Sequence, residues 1–455
     1  MNELLVYVPR ITSRVEYVFG FIFSDILGVA FRFTSDKQEL SDYQGAKLVY
    51  NHHPLADELY FGSSQLLFET HVVRRKLQHN NWNGLKGFFR VDMQSVVPFD
   101  LFASAFYLLS RYDEVLTTQT DAHGRIRARD TTMMKYKMAD SPVVDVYAYT
   151  VKRYLRDRYP ALVFRQRNFR YHCTVDVDMA FKYVGKSFFR QIGGFFRSLM
   201  NLNFNEIDEA RQVRNGLLHD PYNTFGYISE VAERYAFPLS YFWLLGEYSG
   251  YDKNIPVSNP EFRKKIHQIS SRYDSHIHLS YRASKQEGRI PQEIKLLEDI
   301  IGKPVRKNRF HYLRFRLPES YQQLLKYKIQ EDYSMGYSTQ VGFRAGTCTP
   351  FYYFDLSKNE VTRLKVVPFA YMDAAMQYHI KYLPDQALRK MMKMVDAVRE
   401  VDGPLCVVWH NNSLSEEVIW KGWRRVFEES SEYAMRYVVQ KQDAGHAETN
   451  PSTDR

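Results

Sequence analysis

The sequence contains few cysteines: Cys173, Cys348 and Cys406 are the three among its 455 residues. Their number is odd, their spacing matches no metal-binding pattern, and two of them lie in apolar runs that are typical of buried thiols. This scarcity argues against a disulfide framework as the basis of the fold.

Long apolar runs and dense basic runs are also missing. Asp25 interrupts the most apolar part of the N-terminus, which is too short to cross a bilayer and lacks the features of a secretory leader. The net charge is +10, but lysine and arginine are mixed with acidic residues, without the signature of a nucleic-acid reader. We therefore expect a cytoplasmic protein that could touch the inner membrane face, and no nucleic-acid partner.

The composition is that of a folded chain, with 45% hydrophobic and 25% charged residues. Its length exceeds what one core usually fills, so we expect two domains. Residues 1–165 mix strand-like and helical stretches, which predicts an N-terminal α+β domain of unassigned function. The polar residues 441–455 are predicted to be a disordered tail.

Between these two regions, residues 166–440 show strand-like runs that alternate with amphipathic helical stretches. The runs are "FRYHCTVDV", "FPLSYFWLL", "SHIHLSY", "TQVGFRAG", "RLKVVPFAYM" and "LCVVWH". This alternation predicts an α/β fold with a parallel sheet or barrel, in which chemistry gathers at the carboxyl ends of the strands. Residues 185–204 form a basic, Phe-rich stretch without acidic residues, which suits either a membrane-surface segment or a helix packed on the other domain.

Two aspartates end the apolar run "YHCTVDVDMAF", residues 171–181. Asp176 and Asp178 are two positions apart, so in an extended strand they project from the same face. Carboxylates that close repel each other unless a cation lies between or beside them. One acid could ligate a divalent metal while the other accepts a proton. Strand-end aspartates also cap helices, and that alternative stays open.

Other strand-like runs end in histidine or arginine. His276 and His278 in "DSHIHLSY" share one strand face, and imidazole is the commonest neutral metal ligand. His311 in "NRFHYLRF" is either a ligand or a surface histidine. His410 ends the buried run "PLCVVWH", where a histidine suits a general acid. Arg344 in "VGFRAGT" precedes a glycine and could clamp a carboxylate and hold it ionised.

The order of these motifs resembles that of the NodB-homology polysaccharide deacetylases, carbohydrate esterase family 4. The chain reads "TVDVD", "HIHLSY", "GFRAGT", "PFAYMD" and "VVWH", in the family's order of Asp-Asp, His, Arg-Pro-type, Asp-containing and Leu-His motifs. The layout is similar to a bacterial subfamily that carries its own N-terminal domain. The resemblance covers about three fifths of the chain and implies a distorted (β/α) barrel of about seven strands.

The resemblance also implies a role for each motif. In chain order these roles are general base for Asp176, metal carboxylate for Asp178, first metal histidine for His278, holder of the base for Arg344, orienter of the acid for Asp373, and general acid for His410.

Two departures from the family pattern affect these roles. The family's two acids are adjacent, whereas Val177 separates them here, so the roles of Asp176 and Asp178 could be exchanged. The family's second metal histidine falls on Arg282, and a guanidinium cannot ligate a metal. Either His311 or His276 takes that place, or the ion is lost.

The sequence therefore predicts hydrolysis of an N-acetyl group on an amino sugar, assisted by a divalent metal. Zinc is the first expectation for that metal, with cobalt, nickel and manganese as alternatives, and the partner is an N-acetylated carbohydrate. The alternative, which Arg282 favours, is a glycan-binding or scaffold protein that kept the fold and lost the ion.

Overall fold

The computed structural model describes residues 3–55, 57–185 and 204–447. We call residues 3–165 the N-terminal part and residues 166–447 the barrel part. The basic stretch predicted to touch a membrane falls almost entirely on residues 186–203, which lie outside the described residues. No helix within the described ranges has both the length and the apolarity that crossing a bilayer requires.

The N-terminal part is built around a small parallel sheet. Its strands are β1 (Glu3–Tyr7), β2 (Ala30–Thr34), β3 (Ala46–Asn51), β4 (Tyr60–Gly62), β5 (Asn80–Trp82) and β6 (Leu85–Gly87). Its helices are α1 (Ser13–Phe19), α2 (Lys37–Asp42), α3 (Leu101–Leu109), α4 (Tyr112–Val115), α5 (Thr132–Lys135) and α6 (Val143–Arg158). The first four strands pair in parallel in the order β2-β1-β3-β4, while β5 and β6 form a separate antiparallel pair.

The barrel part contains one eight-stranded sheet. Its strands are β7 (Arg170–Val177), β8 (Leu239–Leu244), β9 (Asp274–Leu279), β10 (Lys307–Phe310), β11 (Glu331–Asp332), β12 (Phe351–Asp355), β13 (Glu360–Val366) and β14 (Pro404–His410). Its helices are α7 (Phe204–Arg214), α8 (Phe225–Tyr235), α9 (Pro260–Ser270), α10 (Arg289–Ile301), α11 (Glu319–Lys326), α12 (Pro384–Arg399) and α13 (Trp423–Ala447). The strand order is β12-β13-β11-β10-β9-β8-β7-β14.

Every neighbouring pair in this sheet is parallel except β12 with β13. The sheet curls because the chain that follows β13 joins its two sides. Val367 N–H donates to the Asp332 carbonyl at the end of β11, and Ala370 N–H donates to the Cys406 carbonyl of β14. The predicted α/β fold with a distorted barrel is therefore confirmed, with seven parallel strands and one antiparallel strand.

One local prediction is wrong. Residues of "TQVGFRAG" form a loop instead of a strand, because Gly342 has a φ of +134° and Phe343 N–H donates to the Ala139 carbonyl of the N-terminal part. Residues 441–447 continue α13 and residues 448–455 lie outside the described residues, so the disordered tail expected for residues 441–455 stays a prediction.

The two parts share one continuous hydrophobic core, which includes buried residues such as Phe106 and Phe354. Their rings are 5.0 Å apart and packed edge to face. The core therefore does not mark the domain boundary at residue 165, which stays a prediction.

Candidate metal centre

The carboxyl ends of four parallel strands meet at one end of the barrel. Asp176 belongs to β7 and is in register with His410 of β14, while Asp178 lies just beyond β7. His278 belongs to β9 and His311 follows β10 directly. Parallel strands bring their carboxyl ends to one edge, so residues from distant parts of the sequence converge here.

Asp178, His278 and His311 form a group with the composition of a metal site. One ligand atom of each lies within 4.8 Å of the others. Asp178 Oδ1 is 3.3 Å from His278 Nε2, and Asp178 Oδ2 is 3.4 Å from His311 Nε2. Two imidazoles and a carboxylate leave room for water or substrate in a tetrahedral zinc site.

Hydrogen bonds on the far side of both imidazoles fix their orientation. His278 Nδ1 donates to the Arg309 carbonyl at 2.9 Å, and His311 Nδ1 donates to Asp252 Oδ1 at 2.8 Å. In the neutral rings the lone pair is therefore on Nε2, the atom that faces Asp178. Metal-binding histidines usually have such a carbonyl or carboxylate partner behind them.

The group also fits a cation electrostatically. Asp178 Oδ1 is buried and has no hydrogen-bond partner among the described residues. Burial lowers the pKa of His311, but the carboxylates of Asp178 and Asp252 outweigh it and raise this pKa to about 9. The position beside Asp178 therefore attracts positive charge, whether a proton or a metal ion.

A second pair flanks this group. His410 Nδ1 donates to Asp373 Oδ1 at 2.6 Å, and the His410 N–H donates to Asp373 Oδ2 at 2.7 Å. His410 Nε2 then points toward the acids, 3.9 Å from Asp178 Oδ2. Burial lowers the pKa of His410, but Asp373, Asp178 and Asp176 raise it to about 10. The predicted pairing of Asp373 with His410 is present in the structure.

Arg309 makes the contact with Asp176 that the sequence assigned to Arg344. The Arg309 guanidinium is fully buried, pairs with Asp176 Oδ1 and donates to Thr174 Oγ1 at 2.9 Å. Arg344 instead pairs with Glu114 of the N-terminal part at 2.8 and 2.9 Å. The expected contact of Arg344 with Asp176 is therefore wrong, because the loop that carries Arg344 packs on the N-terminal part.

His276 and Arg282 lie outside the metal group. His276 is one residue pair deeper in the barrel, with its ring 5.1 Å from that of Phe242, and burial lowers its pKa to about 3. Arg282 is partly exposed and pairs with Glu247 at 3.4 Å. Of the two histidines that could replace the missing ligand, His311 is the one that lies beside Asp178.

Arg309 and Asp252 are the two residues that the sequence analysis missed. The alternation that selected Asp176 with Asp178 also places Arg309 and His311 on one face of a strand. That signal was available, but nothing in the sequence said which strand faces Asp176. Asp252, in "YDKN", follows no strand directly, and its contact with His311 depends on the fold.

The metal group lines a cavity of about 290 Å³. Asp176, Asp178, His278, His311 and His410 all line it. Its lining also includes four aromatic residues, Tyr251, Phe310, Tyr312 and Tyr378. Concave sites with aromatic walls and a few converging polar groups are the usual form of a small-molecule site.

The chain was compared with family models, curated sequences and solved structures. A family model described as a family of unknown function, DUF7033, matches residues 4–160. No curated protein sequence matches the chain.

Several solved structures resemble the chain. A protein of Mycobacterium smegmatis assigned as a polysaccharide deacetylase has a TM-score of 0.37 and 11% identity, over 64% of this chain and 95% of its own. A polysaccharide deacetylase of Bacillus cereus has a TM-score of 0.30 and 10% identity, over 61% and 89%. A pseudoenzyme of the CE4 family from Bacillus anthracis has a TM-score of 0.29 and 9% identity, over 60% and 62%. Similarity at this level does not say which residues act.

Proposed function

We propose that the protein hydrolyses the N-acetyl group of an amino sugar with the help of a divalent metal. The observation that carries the proposal is the grouping of Asp178, His278 and His311 within 4.8 Å, with two imidazole Nε2 atoms facing one carboxylate. Asp176 and His410, which are paired on neighbouring strands, line the same cavity as this group. The arrangement offers a metal site, a proton acceptor and a proton donor together.

Asp178, His278 and His311 would hold the cation. This set of two nitrogen donors and one oxygen donor suits zinc, and cobalt, nickel and manganese accept the same ligands. When bound, such a cation polarises an amide carbonyl and makes a water molecule acidic enough to lose a proton near neutral pH.

Asp176 is suited to accept that proton. Arg309 pairs with Asp176 Oδ1, whereas Asp176 Oδ2 is 3.8 Å from His278 Nε2, on the side of the metal group. A carboxylate that is held at one oxygen and open at the other can take a proton from water while the water oxygen bonds to the amide carbon.

His410 is suited to donate a proton to the leaving nitrogen. Asp373 accepts from His410 Nδ1, so the proton on Nε2 of the charged imidazole faces the cavity. As the carbon–nitrogen bond breaks, this proton would pass to the nitrogen. The products are acetate and a free amine on the sugar.

The competing proposal is a glycan-binding or scaffold protein without a catalytic ion. Arg282, at the position of the second metal histidine in the sequence resemblance, is the observation that favours it. The location of His311 beside Asp178 weakens this reading, because a third ligand is available from another strand.

Metal content and acetate release test the proposal together. The purified protein should bind about one zinc or cobalt ion per chain and release acetate from at least one member of a panel of free, nucleotide-linked and lipid-linked N-acetylated sugars. His311→Ala should lose both properties, while His276→Gln, a matched change in a nearby barrel histidine, should keep both.

Absence of metal after reconstitution, together with no acetate release across the panel, would replace this proposal with the scaffold function. The cytoplasmic location expected from the sequence belongs to the same proposal, and cell fractionation tests it.

A further inference from the structure

The N-terminal part supplies a wall of the candidate active site. Its segment 121–130 is anchored beside the metal group, because Arg125 Nη1 donates to the Tyr312 carbonyl at 2.8 Å and Arg314 Nε donates to the His123 carbonyl at 2.7 Å. The His123 ring also packs 5.0 Å from that of Tyr312, which lines the cavity. A segment that belongs to the region matched by a family of unknown function therefore adjoins the proposed chemistry.

A second cleft, of about 330 Å³, adjoins the metal cavity. The two share Arg125, Leu313 and Ser338 as lining residues. One wall of the second cleft is formed by residues 125–129 of the N-terminal part and the other by residues 336–340 of the barrel part. A substrate seated on the metal group could extend into this cleft without leaving the surface.

The second cleft is held in shape by contacts between the two parts. Thr131 Oγ1 and the Tyr337 hydroxyl are 2.8 Å apart, and Arg344 Nη1 donates to the Gly336 carbonyl at 3.2 Å. Arg344 is in turn paired with the buried Glu114. Gly336 and Tyr337, at the start of segment 336–340, are therefore held by contacts with both parts of the chain.

Positive charge dominates the lining of the second cleft. Its charged members are Arg125, Arg127, Arg129, Arg344 and Asp121. Three of the four arginines have acidic partners. These ion pairs are Arg125 with Asp121, Arg127 with Asp130, and Arg344 with Glu114. Arg129 is exposed and forms no ion pair with any residue that the structure describes. Ser338, Thr339 and Gln340 line the same cleft, and their side chains can donate hydrogen bonds.

We propose that this second cleft binds an anionic group, a phosphate or a carboxylate, that is attached to the N-acetylated sugar. The inference rests on the proposed function and narrows its substrate to a charged sugar. A guanidinium binds either anion through paired hydrogen bonds, and Arg129 is placed to do so beside the hydroxyl and amide groups of residues 338–340. The N-terminal part then acts as a specificity element.

Steady-state kinetics with matched sugars test this assignment. The probes are N,N′-diacetylchitobiose as the neutral sugar, UDP-N-acetylglucosamine as the phosphate form, and a disaccharide of N-acetylglucosamine and glucuronate as the carboxylate form. Arg129→Glu should raise KM about 10-fold for at least one anionic sugar, with kcat unchanged, and leave the neutral sugar unaffected. Which anionic sugar responds identifies the source of the charge.

Arg156→Glu is the matched control, because Arg156 is an exposed arginine of α6 that lines neither cleft. This control should change no KM value. A readout without turnover comes from calorimetric titration of Asp176→Asn with the same three sugars, in which Arg129→Glu should weaken binding of the anionic sugar alone.

The outcomes separate the two proposals. Equal use of neutral and anionic sugars, unchanged by Arg129→Glu, would overturn the anionic subsite and leave deacetylation standing. Binding of an anionic sugar that depends on Arg129, without acetate release from any sugar, would overturn deacetylation and leave the subsite standing.

Discussion

Arg309–Asp176 and Arg344–Glu114 are both buried arginine–carboxylate pairs. They differ in whether a carboxylate oxygen remains available to a cavity. Both Glu114 oxygens are used, by Arg344 at 2.9 and 2.8 Å and by Arg111 at 2.8 Å. Asp176 pairs with Arg309 through one oxygen, and its side chain lines the metal cavity. We call Arg344–Glu114 the closed pair, because it uses both carboxylate oxygens and joins the two parts of the chain. We call Arg309–Asp176 the open pair, because it keeps one oxygen available for chemistry.

The pKa of Glu114 reflects its pairing with two arginines. Burial raises the pKa of Glu114, but Arg111 and Arg344 outweigh it and lower this pKa to about 2. Glu114 is therefore ionised at any physiological pH, and it lines neither of the two cavities described above. It can stabilise the contact between the two parts, but it has no means of accepting a proton from a substrate or from water.

The largest effect should come from Asp176→Asn. The amide keeps the shape of the side chain but cannot accept a proton, so acetate release should fall by about 10²- to 10⁴-fold. Metal content should be retained, because Asp178, His278 and His311 are unchanged. Kinetics and metal analysis of the same preparation measure both, and Glu114→Gln, the amide change in the closed pair, should keep the rate per folded molecule. A rate within a factor of about three of the parent would remove Asp176 from the chemistry.

Glu114→Ala should affect stability instead of catalysis. It leaves Arg111 and Arg344 buried side by side without their carboxylate, which typically costs about 3–5 kcal/mol of unfolding free energy. Urea denaturation measures this loss, and kcat for a neutral sugar, corrected for the folded fraction, should not change. If kcat fell while the unfolding free energy stayed the same, the closed pair would belong to the active site. Its assignment to fold stability alone would then be wrong.

Strand alternation explains why much of the site could be predicted from the sequence. Asp176 with Asp178 and His276 with His278 each share a strand face, and the ends of parallel strands meet at one edge. Alternation cannot measure depth in the barrel, which is why it could not separate His278, at the edge, from His276, one residue pair deeper.

The two arginines show where sequence reasoning ends. Arg344 matched a motif by its order in the chain, but the left-handed backbone of Gly342 turns its loop toward the N-terminal part. Arg309 reaches Asp176 across the barrel, from a strand whose neighbours in the sheet are not evident from the sequence. The α/β barrel itself was predictable because each strand carries its own apolar run, while partners across the barrel depend on the complete fold.

Glu293 is a buried carboxyl that forms no ion pair with an arginine among the residues that the structure describes. It accepts from the Ser280 N–H at 2.9 Å and the Ser280 hydroxyl at 2.5 Å, and burial raises its pKa to about 7. A folded-state pKa above the unfolded value means that its stabilising contribution is present below about pH 4.5 and is lost as the pH rises through 7.

Replacing Glu293 should therefore change how stability depends on pH. The unfolding free energy of the parent minus that of Glu293→Gln should fall by up to about 3 kcal/mol between pH 4.5 and 8. Urea denaturation at several pH values measures it. An unfolding free-energy difference that stays flat over this range would mean that Glu293 is ionised throughout, and that burial without an arginine does not hold a carboxyl neutral here.

The smallest effect should come from Asp252→Asn. This change tests the hydrogen bond that holds His311 on the side away from Asp178. Asp252 Oδ1 accepts from His311 Nδ1, and Asp252 also accepts from the Tyr281 N–H at 2.8 Å. The amide can keep these contacts through its oxygen but loses the charge that strengthens His311 as a ligand. We expect zinc affinity to fall by about 10- to 100-fold, measured by competition with a chelator, with little change in stability.

Ser249→Ala is the control for this change, because Ser249 Oγ donates to Asp252 Oδ2 at 3.0 Å on the side away from His311. It should lower zinc affinity by less than about threefold. If the two variants behaved alike, Asp252 would serve only to hold its loop, as Glu114 holds the two parts together. The metal group would then differ from the closed pair only in having ligand atoms that line a cavity. The charge of Asp252 would not strengthen His311 as a metal ligand.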